Sequence, residues 1–242
     1  MNSTRTASIA TGTLFLAADV AGVASVAVLG SALTDTDVIG RVGADPGAVS
    51  LAAAFVALMG LCCAGIAAAM YPVLRRVSSG LAMGSAVLRT AEAVVFLVGA
   101  LTLLALAAVA GDVRGGALDA TAARPAAQLI TALYSQSGAV ASLPFAVGAF
   151  LYYVAFYTWR LTPRWLAGWG IAAIVMYFAT ALGAIVTRTD FETLSAFLMP
   201  LALQEVVLAI YLIARGFREP AGSEAAAIAT QTRPAANAAA AL

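Results

Sequence analysis

The sequence predicts an all-α membrane protein: a polytopic bundle of six transmembrane helices with both termini in the cytoplasm. Apolar residues make up 62% of the 242-residue chain and charged residues only 10%, whereas a soluble domain has roughly 45–50% and about 25%. With a mean hydropathy of +0.95, a water-soluble fold would have nowhere to bury its apolar side chains. This composition excludes a soluble enzyme and a soluble nucleic-acid-binding protein.

Six apolar runs have the length that a helix needs to cross a bilayer. A hydrocarbon core of about 30 Å requires about 20 helical residues. The third run is long enough to tilt or to extend beyond the bilayer. The predicted spans are Ser8–Gly30, Val49–Tyr71, Leu81–Ala110, Gly138–Trp159, Leu166–Val186 and Leu194–Ala214. Residues 1–218 are therefore assigned to one six-helix transmembrane domain.

Two segments outside the spans carry further predictions. Residues 111–135 hold four charged side chains, which are costly in hydrocarbon, so this segment is predicted not to cross the membrane. Within it, Pro125–Ser135 is predicted to form a short helix at the membrane surface. Residues 219–242 are rich in alanine and poor in large apolar side chains, and they are predicted to be a disordered cytoplasmic tail.

The distribution of arginine predicts the orientation. All 13 basic residues are Arg; eight lie on the side that holds both termini, four lie in the opposite loops, and Arg89 lies inside a span. Loops rich in basic residues remain in the cytoplasm. We therefore expect both termini to be cytoplasmic in a multi-pass protein of the plasma membrane.

Four ionisable residues fall within the predicted spans: Asp19, Arg89, Glu92 and Glu205. Each costs roughly 2.5–3.5 kcal/mol near the bilayer centre, so each is expected to face the bundle interior and to have a partner. At 1.5 Å per residue, all four lie about 12–17 Å from the cytoplasmic ends of their spans. Arg89 and Glu92 are spaced i,i+3 and share a helix face with Ser85. These five residues are the predicted intramembrane polar cluster.

The charge of this cluster leaves its role open. Three acids and one arginine would carry an excess of two negative charges if all were ionised. Either some carboxylates are protonated, because desolvation disfavours the charged form, or a cation or an aqueous cavity compensates the charge. The cluster is then either a polar latch that fixes the helices against one another or a site for a proton, an ion or a small solute.

No residue pattern indicates a cofactor, a metal site or a catalytic motif. The chain has no His and no Lys, which excludes the usual zinc sites, His-dependent triads and Schiff-base lysines. Cys62 and Cys63 are adjacent in an apolar run and are expected to be packing residues. The expected partners are the lipid bilayer and a proton or small solute, with no nucleic acid, and the sequence indicates no oligomeric state.

Aromatic residues gather near the cytoplasmic edge of the fourth and fifth spans. Tyr and Trp are enriched where a membrane meets water, so the expected arrangement is an interfacial belt. The residues concerned are Tyr152, Tyr153, Tyr157, Trp159, Trp165 and Trp169.

Several short motifs follow one another along the chain. They are Tyr71-Pro72-Val73-Leu74-Arg75, Leu88-Arg89-Thr90-Ala91-Glu92-Ala93, Thr162-Pro163-Arg164-Trp165-Leu166-Ala167, Pro200-Leu201-Ala202-Leu203-Gln204-Glu205 and Ile213-Ala214-Arg215-Gly216-Phe217. In order and spacing, over roughly residues 8–218, the chain resembles domain-of-unknown-function family 4386, a family of bacterial multipass membrane proteins. The resemblance implies membrane location and helix number, and it implies no established activity.

Proton-linked or small-solute transport is the leading hypothesis, with Glu92 or Glu205 taking up a proton and Arg89 holding the counter-charge. The alternatives are a lipid-modifying intramembrane enzyme and a non-catalytic sensor or partner subunit. Transport predicts a water-accessible path to the cluster, and an enzyme predicts a cavity that opens laterally into lipid. A structural role predicts a dry, closed cluster.

Overall fold

The computed structural model describes residues 3–187, 189 and 195–219, and within these ranges the fold is entirely helical. Six of the helices are long and apolar enough to cross a membrane, which confirms the predicted fold class and the number of spans. The helices are α1 (Ser3–Leu29), α2 (Val38–Ala44), α3 (Pro46–Leu74), α4 (Ser79–Arg114), α5 (Ala120–Thr158), α6 (Arg164–Thr187) and α7 (Ser195–Ala214).

The six long helices form a ring in chain order. Each packs against the long helices that precede and follow it, and α7 packs against α1 to close the ring. Three hydrogen bonds fasten this closure. Arg5 donates from Nη1 to the carbonyl of Leu212 at 3.3 Å and from Nη2 to the carbonyl of Ile213 at 2.6 Å, and the amide of Phe217 donates to Ser8 Oγ at 2.9 Å. A ring of this kind encloses an interior to which every long helix can contribute side chains.

The two ends of the ring differ in charge. One end holds the start of α1, the end of α7 and most of the arginines, and we call it the arginine-rich end. The opposite end carries the short helix α2, and we call it the α2 end. Arginines at the arginine-rich end include Arg5, Arg75, Arg76, Arg160, Arg164 and Arg215.

The structure corrects the prediction for the segment between the third and fourth spans. α5 begins at Ala120, where the Asp119 carboxylate caps it by accepting two backbone hydrogen bonds, and it continues without a break to its last residue. The prediction of a separate helix over Pro125–Ser135 is therefore wrong. Alanine has the highest helix propensity, and Ala123 and Ala127 are buried against the rest of the α2 end, so the helix persists through this segment.

Helices α4 and α5 are much longer than a bilayer core requires. With 36 and 39 residues, they measure about 54 and 58 Å at 1.5 Å per residue. The short helix α2 packs against both. The predicted spans left the residues of α2 in the loop between the first and second spans. Seven residues are too few to show the hydrophobic periodicity that indicates a helix.

Two apolar cores stabilise the ring, one toward each end. The core at the arginine-rich end is built mainly from α1, α3, α5, α6 and α7, and it includes many large aromatic side chains. The core at the α2 end is built from α2 and the adjoining parts of α1, α3, α4 and α5. The predicted polar residues lie between these cores.

Helix α4 shows how the sequence determines which face turns inward. Val87, Val94 and Leu101 recur every seven residues and are more than half exposed, as expected for a face in contact with lipid. Arg89 and Glu92 lie on the opposite face and are buried. The same helix therefore carries an apolar face toward lipid and a polar face toward the interior.

Some predictions lie outside the described residues. They concern the tail from residue 220 onward and the charged residues Arg188, Asp190 and Glu192 of the last loop. The division into a membrane domain and a tail, and the cytoplasmic location of both termini, stay predictions.

Labelling of single cysteines tests the orientation. Ser31 and Ser79 are exposed at opposite ends of the ring, whereas the native Cys62 and Cys63 are buried. In intact cells, a membrane-impermeant maleimide should label Ser31→Cys at once and Ser79→Cys only after permeabilisation, because the arginine-rich end should be cytoplasmic. The native protein is the control for background labelling. Labelling of both positions from the same side would contradict the topology.

Closure of the ring depends on Gly12, at which α1 meets α7. A Cβ at this position would lie 2.6 Å from the carbonyl oxygen of Ala209 and 2.8 Å from Ile213 Cγ1. Gly12→Val should therefore lower the free energy of unfolding in detergent by about 1–3 kcal/mol, a common cost of overpacking. Gly183→Val is the matched control, because a Cβ at Gly183 meets nothing within 4 Å. Equal losses in both variants would show that α1 and α7 are not tightly packed.

Candidate functional site

Arg89 and Glu92 form a buried ion pair on α4. Arg89 Nη1 and Glu92 Oε2 are 2.8 Å apart, and the two side chains are 2% and 4% exposed. The guanidinium also lies over the ring of Phe145 on α5, with 4.8 Å between Cζ and the ring centroid. The face of an aromatic ring attracts a cation. The Glu92 carboxylate therefore neutralises the charge of Arg89, and the Phe145 ring adds a favourable contact with the guanidinium.

Gly148 allows α5 to approach α4 beside this arginine. A Cβ at Gly148 would lie 3.1 Å from Leu88 Cβ and 3.4 Å from Arg89 Cγ, so a side chain would push the helices apart. Phe145 lies about one turn away on the same helix. The close approach of the two helices therefore supports the contact between the Phe145 ring and the guanidinium.

Asp19 on α1 and Glu205 on α7 face the same space as the ion pair. The four ionisable residues line an inner cavity of about 250 Å³, together with Phe15 and Phe145. Glu205 lies within electrostatic range of Asp19, Arg89 and Glu92. Within the described part of the chain, neither Asp19 nor Glu205 takes part in a salt bridge. The inner cavity thus holds one neutralised pair and two further acids.

Ser85 lies one turn from Arg89, toward the arginine-rich end, and is 1% exposed. It does not belong to the lining of the inner cavity. The structure therefore brings four of the five predicted cluster residues to one cavity and leaves Ser85 beside it. Whether the cluster has a function stays a prediction.

Several buried polar atoms around the inner cavity have no hydrogen-bond partner among the described residues. The geometry between Arg89 and Glu92 is that of an ion pair and does not meet the angles of a hydrogen bond. Buried polar groups in proteins are nearly always hydrogen-bonded, so such a concentration is typical of a site that binds water, an ion or a ligand. The atoms are Asp19 Oδ2, Ser85 Oγ, Arg89 Nε and Nη1, Glu92 Oε2 and the Tyr152 hydroxyl.

A larger outer cavity occupies the α2 end. Its volume is about 940 Å³, at the upper end of the range for small-molecule sites. Its lining combines apolar side chains with hydroxyl, amide and charged groups from the α1–α2 connection and from α5. The polar lining includes Thr34, Asp37, Arg124, Gln128, Thr131 and Ser137.

Four residues line both cavities: Gly22, Met59, Phe96 and Tyr177. We call them the gate layer. The Tyr177 hydroxyl lies 2.9 Å from Ser142 Oγ, and its ring meets Phe145 edge to face, with centroids 5.1 Å apart. Because Phe145 also covers Arg89, Tyr177 links the gate layer to the ion pair.

The opposite side of the inner cavity is filled by packed aromatic rings, which we call the aromatic plug: Phe15, Tyr152, Tyr153, Phe156 and Phe217. Phe15 of α1 contacts Tyr152 of α5, with centroids 6.4 Å apart. Phe156 follows at 5.4 Å from Tyr152 and is itself 5.4 Å from Phe217. The plug lies on the arginine-rich side of the inner cavity and contributes Phe15 to its lining.

The plug corrects part of the predicted interfacial belt. Tyr152 and Tyr153 are fully buried in the bundle, so their assignment to the belt is wrong. Tyr157 and Trp165 are 42% and 62% exposed, as the belt requires. Tyr is amphipathic, so its presence near the end of a span did not reveal whether it faced the interior or the interface.

Gln204 is a functional candidate that the sequence analysis missed. Its side chain is fully buried; its Oε1 accepts a hydrogen bond from the Tyr153 hydroxyl, and its Nε2 donates to the carbonyl of Leu166 at 3.2 Å. It thus ties α7 to α5 and α6 next to Glu205. The sequence feature that could have identified Gln204 is its position next to Glu205, an acid within a predicted span.

Substitution of Glu92 tests whether the ion pair stabilises the fold. Glu92→Gln leaves the buried guanidinium without its acid, and breaking a buried pair in this way costs about 3–5 kcal/mol. Thermal unfolding in detergent should show this loss, and the double variant Arg89→Gln/Glu92→Gln should recover part of it. A double variant whose loss equals the sum of the two single losses would show that the pair is not energetically coupled.

Comparisons with known proteins agree with the motifs in the sequence. The model of a family described as Domain of unknown function (DUF4386) matches residues 10–216, which include the four ionisable residues of the inner cavity. No curated protein and no solved structure matches the chain. Because the match covers most of the chain, this protein belongs to the DUF4386 family.

Proposed function

We propose that this protein transports a small solute across the plasma membrane and couples that movement to a proton. The observation that carries the proposal is the gate layer, because the same four residues line the outer cavity and the inner cavity. A solute that entered at the α2 end would then need to pass only this layer to reach the buried carboxylates.

The arrangement of the two sides supports a transport cycle. Transporters commonly bind their substrate near the bilayer midplane and open the site to one side at a time. Here the outer cavity leads toward the site from the α2 end, while the aromatic plug closes it toward the arginine-rich end. These features correspond to a state that is open to one side and closed to the other.

Glu205 is the better of the two proposed proton carriers. Glu92 is already neutralised by Arg89 at 2.8 Å, so protonation of Glu92 would leave the guanidinium uncompensated. Glu205 lies on another helix, outside any described salt bridge, and lines the same cavity. A carboxylate of this kind can gain or lose a proton without breaking the ion pair.

The two other hypotheses have weaker support. A polar latch requires a dry, closed cluster, whereas the inner cavity adjoins the larger outer cavity, whose lining carries hydroxyl, amide and charged groups among its apolar side chains. An intramembrane enzyme requires a nucleophile or an acid–base pair beside a substrate position; the lining holds the Cys63 thiol and the acids Asp19 and Glu205, but no catalytic motif in the sequence assigns them such a role. We further propose that both termini lie in the cytoplasm, because basic residues concentrate at that end of the ring.

Proton flux in liposomes tests the proposal. Purified protein is reconstituted with a pH-sensitive dye inside the vesicles, and the external pH is stepped in the presence of candidate solutes. Wild-type protein should dissipate the gradient with at least one solute, and Glu205→Gln should abolish the solute-dependent flux. Asp112→Asn is the matched control, because Asp112 is an exposed acid that lines neither cavity. Flux in Glu205→Gln equal to the wild type would overturn the role of Glu205.

A further inference from the structure

We propose that the inner cavity binds a small organic monocation, such as a protonated amine or a quaternary ammonium ion, in exchange for a proton held by Asp19 and Glu205. The inference rests on the proposed transport function for its role in the cell and names the substrate class. Binding itself can be measured without transport.

The charge of the inner cavity favours a cation. Arg89 and Glu92 neutralise one another at 2.8 Å, and Asp19 and Glu205 remain on the lining without a basic partner of their own. Two carboxylates on the lining of one small cavity disfavour each other's ionised form unless a positive charge lies near them. One proton on either carboxyl group or one bound monocation would remove the same amount of negative charge.

The aromatic lining selects the kind of cation. Phe15, Phe96, Phe145 and Tyr177 all line the inner cavity. Phe145 lies over Arg89, Tyr177 packs edge to face against Phe145, and Phe15 packs against Tyr152, so Phe96 is the ring on this lining to which we assign the contact with the cation. Aromatic rings around a cationic group are the recognition mode for quaternary ammonium ligands.

The remaining lining disfavours a metal ion and an anion. Hard metal ions need six or more oxygen ligands, whereas the other lining side chains include Ala18, Val23, Met59 and Ile66, which offer none. Among the described residues, no group of three His, Cys, Asp or Glu side chains is placed to hold a metal ion. An anion would meet two unpaired acids, because the only arginine on the lining is already paired.

The approach to the site also favours positive charge. Among the described residues at the α2 end, five are acidic and three are arginines. An excess of one sign raises the local concentration of the opposite charge, although salt screens this effect. A cation would therefore be attracted to the end at which the outer cavity lies.

The exchange balances in charge. When the cation binds beside Asp19 and Glu205, the proton held by one of these two carboxyl groups leaves to water, and the net charge of the cavity is unchanged. Lowering the pH should therefore weaken binding of the cation, because protons compete for the same carboxylates. The other titratable groups around these carboxylates are Cys63 on α3, Arg89 and Glu92 on α4, Tyr152 and Tyr153 on α5, and Tyr177 on α6.

Calorimetry on the full-length protein in lipid nanodiscs tests this inference. The probes are choline chloride and dimethylbutanol, the uncharged carbon isostere of choline, with potassium chloride as the ionic-strength control. Choline should bind, should release a proton into a weakly buffered solution, and should bind less tightly as the pH falls. Dimethylbutanol should bind at least about tenfold more weakly, because it lacks the charge that the carboxylates and rings attract.

Variants assign the effect to this cavity. Asp19→Asn and Glu205→Gln should each weaken choline binding at least about tenfold and abolish proton release, since each removes a carboxylate from the pair. Phe96→Leu should weaken choline binding about two- to thirty-fold while proton release on binding persists. Asp112→Asn should match the wild type. Size-exclusion profiles and thermal unfolding identify variants that have lost the fold.

The results separate this inference from the proposed function. Solute-dependent proton flux without choline binding, or equal affinity for choline and dimethylbutanol, would overturn the substrate class and leave transport standing. Choline binding that depends on Asp19 and Glu205, in a protein with no flux for any solute, would support the site and overturn transport. If the acidic variants fail to fold, wild-type proton release and the Phe96→Leu affinity still decide the inference.

Discussion

A guanidinium inside a membrane protein must have its charge compensated locally, because lipid offers neither water nor counter-ions. Arg89 therefore constrains the arrangement of the helices around it. Glu92 compensates the charge from the same helix, and Phe145 covers the guanidinium from α5, which approaches closely beside Gly148. The polar face of α4 must turn inward, and its valine and leucine face must then meet lipid. Positioning this one side chain thus fixes the rotation of α4 and the contact of α5 against it.

The two apolar cores lie on either side of this polar layer, and this distribution bears on motion as well as stability. Burial of apolar side chains stabilises the ring at both ends, but the middle is held by a few polar contacts and contains the inner cavity. In a membrane, a polar contact between helices contributes on average about 0.6 kcal/mol. The middle of the bundle can therefore rearrange at a lower cost than either core. If the inner cavity opened toward the arginine-rich end, the rings of the aromatic plug would have to separate. These rings are packed more extensively than the side chains in the middle of the bundle.

The sequence predicted those features that arise from local composition. Twenty-residue apolar runs gave the six spans, and the depth of each charged residue along its span indicated that the four would lie near one plane. The continuation of α5 through Pro125 could not be predicted in this way, because it depends on Ala123 and Ala127 packing against other helices. Likewise, the burial of Tyr152 and Gln204 follows from the closure of the ring, which no local pattern encodes.

The four ionisable residues divide into two pairs with different properties. The Arg89–Glu92 pair lies on one helix, is almost fully buried and has no net charge, so changing its protonation would leave one buried charge uncompensated at a cost of several kcal/mol. Asp19 and Glu205 lie on two neighbouring helices and repel one another when both are ionised. Compensation of that repulsion by a proton or a cation would favour the approach of α1 and α7, and loss of the compensating charge would favour their separation. Because α1 and α7 form the seam that closes the ring, occupancy of the acidic pair would be coupled to the packing at that seam. This coupling is the physical requirement for a site whose loading changes the conformation of the bundle around it.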